Sequence, residues 1–116
     1  MDKIFNLKKI MINTLDSNKA LDIVSIDLEN KSSIADYLII ASGTSSRHMQ
    51  ALSEIVLEKF KSNGISNCKI EGSGSNDWKL VDGIDVVVHI FNPEKRKFYD
   101  LEKMWSELIP KEKILI

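Results

Sequence analysis

Asp77-Trp78-Lys79-Leu80-Val81-Asp82-Gly83-Ile84-Asp85-Val86-Val87-Val88-His89-Ile90-Phe91 is the stretch on which the fold turns. It continues as Asn92-Pro93-Glu94-Lys95-Arg96-Lys97-Phe98-Tyr99-Asp100-Leu101-Glu102-Lys103-Met104-Trp105. The first part reads as a hairpin. A short strand runs into Asp82-Gly83, a strong tight-turn pair, and the chain returns as a β-branched strand. The second part reads as a helix. Asn92 is placed to cap its first turn, and Pro93 suits the first helical position, where its missing N–H costs nothing.

Upstream, residues 3–16 read as an amphipathic helix. Ile4, Leu7, Met11 and Leu15 recur at helical spacing, Phe5 and Ile12 widen the stripe, and Lys8 and Lys9 are expected on the other side. Residues 20–28 alternate, Asp22, Val24, Ile26 and Leu28 against Ile23, Ser25 and Asp27, which is strand period. The run Tyr37-Leu38-Ile39-Ile40-Ala41 is continuously apolar, as in a strand covered on both faces. Gly43-Thr44-Ser45-Ser46-Arg47-His48 closes it and opens a helix with Ser45 as N-cap. Met49, Leu52, Ile55, Val56 and Phe60 form that helix's stripe, and Gly64 falls at its C-terminal cap. Residues 66–71 read as a short strand and Gly72-Ser73-Gly74-Ser75-Asn76 as an exposed loop. The order is helix, two strands, helix, three strands, helix. That is an α+β domain with a single mixed β-sheet and helices packed on it. Residues 1–109 form the domain, and 110–116 are expected to be a flexible tail.

Composition narrows the function. The chain has 116 residues, 43% hydrophobic and 28% charged, with a net charge of -1. This fits one soluble domain and gives no global field toward nucleic acid or membrane. Of its 16 basic residues only Arg47 and Arg96 are arginine, the residue suited to bidentate phosphate recognition. Cys68 is the only cysteine, so neither an internal disulfide nor a multi-cysteine metal site is available. The start carries no signal-peptide pattern, and no apolar run approaches membrane-spanning length, so a cytoplasmic protein is expected.

Candidate chemistry is sparse. A Gly-Ser turn followed by Asp82 and Asp85 echoes nucleotidyltransferases, whose metal-binding acids lie one residue apart on one strand face. Here the acids are three apart and should flank a turn, so turn chemistry is the simpler reading. The Gly-Thr-Ser-Ser turn before the second helix invites a phosphate, but capping accounts for its hydroxyls, and no Walker lysine follows. His89 lies in a strand among apolar neighbours, the usual setting of a core or rim histidine. His48 has no strong partner in the sequence. On the last helix Phe98, Leu101 and Trp105 form a core stripe, while Tyr99 and Glu102 share another face. Trp78 stands at the hairpin mouth beside a glycine-rich loop, a setting typical of interface anchors.

Trp78, Val81-Asp82, Asp85–Phe91, Tyr99–Glu102 and Trp105 resemble the C-terminal signature of the ribosomal silencing factor, or Iojap-like, family. Lys31–Tyr37 and Ser42–His48 match a second segment, in the family's order and spacing. The resemblance implies a nucleotidyltransferase-like topology without the catalytic acid pair, no enzyme activity and no cofactor. It implies binding to the large ribosomal subunit through large-subunit ribosomal protein fourteen, which blocks joining of the small subunit and represses translation. A homodimer when free, and little direct nucleic-acid contact, are also implied. Carried over by motif position, the contact residues are Trp78, Lys79, Asp82, His89, Phe91, Tyr99, Leu101 and Glu102. This chain departs from the family at one point: the turn glycine usually directly precedes the second acid, where Ile84 stands. A nucleotidyltransferase-like enzyme or nucleotide-binding module is the alternative.

Overall fold

The computed structural model describes residues 3–28, 35–72, 77–94 and 114–115. Helix α1 (Lys3–Ser17) precedes strands β1 (Leu21–Asp27) and β2 (Tyr37–Ser42). Helix α2 (Ser46–Ser62) leads to β3 (Lys69–Glu71), β4 (Trp78–Asp82) and β5 (Val86–Phe91), and β6 (Ile114–Leu115) follows. The strands form one mixed sheet in the order β3-β4-β5-β2-β1-β6. Only β2 and β5 pair in parallel; the other neighbours are antiparallel. This is the α+β class expected from the sequence. At the sheet's far edge Ile114 pairs with Ile26.

Both described helices pack on one face of the sheet. Leu7, Met11 and Leu15 of α1 and Met49, Leu52, Val56 and Phe60 of α2 meet Ile39, Val81, Val86, Val88 and Ile90 there. The other face carries Val24, Ile26, Leu38, Ile40, Val87 and Phe91, with Leu80 against them. The central strand β2 is buried throughout, which is why its sequence does not alternate.

The helix ends follow local chemistry. Ser45 Oγ accepts the His48 N–H at 3.0 Å, the expected N-cap. Gly64, at φ +89°, closes α2 with Ile65 N–H donating to the Phe60 carbonyl. At the end of α1 the same motif uses Lys19, at φ +67°, with Ala20 N–H on the Leu15 carbonyl. Asn92 Oδ1 accepts the Glu94 N–H at 2.8 Å, so the cap placed at Asn92 is present at Pro93–Glu94. The remainder of the last helix, including Phe98, Tyr99, Leu101, Glu102 and Trp105, lies outside the described residues, as do 73–76 of the glycine-rich loop.

Two expectations are corrected. Lys8 does not face solvent with Lys9. It is buried, and its Nζ lies 4.5 Å from the Phe5 ring centroid and 4.8 Å from that of Tyr37. The aromatic faces attract the ammonium while the methylenes fill the core edge, so a lysine does the work of an apolar residue. The alternation of β1 is also broken. Its register against β2 shifts between Leu21 and Val24, with Asp22 at φ +49°, so Asp22 does not continue the Val24–Ile26 face.

The β4–β5 turn assigns its residues unexpectedly. Gly83 lacks a side chain because of packing: a Cβ there would meet the Phe60 ring at 2.3 Å. The left-handed position falls on Ile84, at φ +74° and half exposed. A β-branched residue in this region costs about 1–2 kcal/mol, and glycine gives back part of that relief through its greater unfolded entropy. Ile84→Gly is therefore expected to stabilise the protein by about 1 kcal/mol and raise Tm by about 4 °C. A thermal melt that falls or stays flat would contradict this assignment of strain.

Candidate interaction surface

The hairpin register gathers the sequence-predicted residues. Trp78 pairs with Phe91, Leu80 with His89 and Asp82 with Val87. Directly opposed residues share a face, so Trp78, Leu80, Asp82, His89 and Phe91 all stand on the sheet face away from α1 and α2. Trp78 is 37% exposed, among the few large apolar side chains so exposed in the described residues, whereas its register partner Phe91 is buried. The His89 and Phe91 ring centroids lie 5.7 Å apart at 54°. Leu80 belongs to this surface although its motif position did not mark it; the alternation Trp78–Leu80–Asp82 was the available signal.

Lys79 is placed differently. As Trp78's neighbour it points to the opposite, helix-side face, opposite Ile90, and is only 3% exposed. Its Nζ donates to the Gly72 carbonyl at 3.0 Å. Tyr99, Leu101 and Glu102, carried over from the helix after Pro93, lie outside the described residues.

His89 has its Nδ1 buried without a hydrogen-bond partner. Burial disfavours the charged ring and lowers its pKa from 6.5 to about 4, so the ring is neutral at pH 7. Cys68 sits in the helix-side core with Sγ 3.1 Å from the Ile65 carbonyl, on the other face of the sheet from His89. The two do not form a reactive pair.

His48 does have partners, contrary to the expectation from sequence. Its Nδ1 accepts the Thr44 N–H at 2.9 Å, and its Nε2 lies 2.9 Å from the Asn18 carbonyl oxygen. A backbone N–H only donates and a carbonyl only accepts, which fixes the neutral ring with its proton on Nε2. His48 thereby ties the start of α2 to the turn after α1. Nothing in the local sequence signals a contact between residues so far apart.

Asp82 ends β4 and Asp85 sits in the turn before β5. Asp82 Oδ1 accepts the Ile84 N–H at 2.9 Å, while the Asp85 carbonyl receives the N–H groups of Asp36 and Tyr37. The acids flank the turn, as their spacing predicts, and Asp82 is engaged in holding it. Among the described residues no cluster of three or more His, Cys, Asp or Glu side chains could hold a metal ion.

The fold has close counterparts. The sequence model of the family described as "Ribosomal silencing factor during starvation" matches residues 2–114. The chain belongs to the ribosomal silencing factor family. It is 46% identical to ribosomal silencing factor RsfS of Zymomonas mobilis, over 86% of this chain and 75% of that protein. It is 38% identical to RsfS of Bacillus subtilis, over 88% of this chain and 86% of the relative. A crystal structure of a Chromobacterium violaceum protein superposes with a TM-score of 0.83 at 36% identity, covering 91% of this chain and 88% of that one.

Proposed function

We propose that this protein binds the large ribosomal subunit through large-subunit ribosomal protein fourteen, occupies the face that the small subunit must approach, and so represses translation in the cytoplasm. It acts by occupancy and not by turnover. Family membership supports the reading, as do the names of relatives: the bacterial ones are silencing factors. A mouse protein, 34% identical over 84% of this chain, is named for mitochondrial assembly of the ribosomal large subunit. The single observation that carries it is the exposed Trp78 at the edge of a face formed by Leu80, His89 and Phe91. Tryptophan on such a face is the residue type that most often anchors a protein interface. Tyr99, Leu101 and Glu102 extend the proposed contact, and the free protein is proposed to be a homodimer, both on the family resemblance.

Co-sedimentation with isolated large subunits tests this reading. Phosphate-dominated binding to nucleic acid weakens with a log–log salt slope of about −0.7 to −0.9 per phosphate contacted. The net charge of -1 leads to the expectation of a shallow slope, about that of one or two phosphates. No pelleting with large subunits contradicts the proposal. A slope of several units makes RNA the main partner instead.

A further inference from the structure

Lys79 is a buried cation in a strand whose helix-side neighbours are apolar. An ammonium is costly to bury, and an apolar side chain of similar volume at such a place is often the more stable choice. Its bond to the Gly72 carbonyl, at 3.0 Å, points to a different use. Glu71 opposite Leu80 is the last β3–β4 pair, so Gly72 stands just beyond the ladder. Gly72 has φ +78°, and a Cβ on it would lie 2.7 Å from Trp78 Cζ3 and 2.8 Å from Cε3. The indole therefore rests directly on the Gly72 backbone, where only glycine leaves room. Trp78 and Lys79 point to opposite faces, and Gly72 links them, accepting from the Lys79 ammonium and underlying the Trp78 ring.

We propose that Lys79 is a positioning residue: its ammonium holds Gly72 against the Trp78 ring and keeps that ring preformed for the partner protein. The inference rests on reading Trp78 as a contact residue. It changes the role of Lys79 from a group that touches the partner to one that sets the aim of its neighbour. Ordering a side chain on binding costs enough that losing preorganisation weakens affinity by roughly three- to tenfold.

The test uses the full chain with Trp105→Phe, which leaves Trp78 as the sole tryptophan. Lys79→Met keeps the apolar stem and removes the donor, Lys79→Arg restores a donor, and Gly72→Ala displaces the ring directly. Acrylamide quenching of Trp78 fluorescence and affinity for large subunits are both measured. Lys79→Met and Gly72→Ala are expected to raise quenching and weaken binding by roughly three- to tenfold, and Lys79→Arg to recover both. Unchanged quenching in Lys79→Met overturns the proposal. So does weaker binding with unchanged quenching, because Lys79 would then touch the partner itself. If the parent protein fails to bind large subunits, the functional reading falls, while the quenching still decides whether Lys79 sets the ring. Should Lys79→Met not fold, Gly72→Ala decides in its place: unaltered quenching there overturns the proposal.

Discussion

Phe60→Ala is expected to remove about 3–5 kcal/mol of stability, much of what a domain of this size has. Phe60 is fully buried near the end of α2, and its ring fills the space over Gly83 at the β4–β5 turn. Truncation empties a site bounded by backbone, which cannot collapse to fill it. The same contact read from the other side makes Gly83→Ala destabilising by about 1–3 kcal/mol, since the new Cβ would meet the ring at 2.3 Å. Urea denaturation of both variants checks this. If Phe60→Ala costs less than about 1 kcal/mol, the helix does not seat on the turn as described.

Acidification is expected to cost about 3 kcal/mol through His89 alone. The folded ring has a pKa of about 4 against 6.5 unfolded, because burial disfavours its charge. Between these values the unfolded chain binds a proton that the folded chain does not, so stability falls as pH drops. The contribution is complete above pH 6.5 and is lost progressively down to pH 4. Stability measured by urea at several pH values should show this slope, and His89→Phe should flatten it between pH 6.5 and about 5, above the range where carboxylates titrate. An equal slope in wild type and variant would mean that burial does not lower the His89 pKa in the fold.

The sequence carried the elements whose signals are local. Ser45, Gly64 and Asn92 cap helices where their residue types place them, and the acids flank the turn as their spacing requires. Continuous apolarity identified β2 as covered on both faces. What escaped depends on distant partners. Lys8 reads as lying away from the apolar stripe, because its being a charged residue says nothing of Phe5 and Tyr37 around it. His48 gained its role from Asn18, thirty positions away. The bulge in β1 moved Asp22 off its expected face. Within the candidate surface, alternation put Trp78, Asp82, His89 and Phe91 together, and the same rule turns Lys79 inward. Motif position alone had grouped them without regard to face.

Subunit joining, followed by light scattering of purified large and small subunits, tests the proposed function most directly. Wild-type protein, preincubated with large subunits, is expected to reduce joining in proportion to its occupancy. Trp78→Ala should keep a normal Tm, because the indole is 37% exposed. It should lose about 2 kcal/mol of binding, which moves the concentration needed for inhibition up by about thirtyfold. Full inhibition by Trp78→Ala at the wild-type concentration, or undiminished joining with saturating wild-type protein, would contradict it.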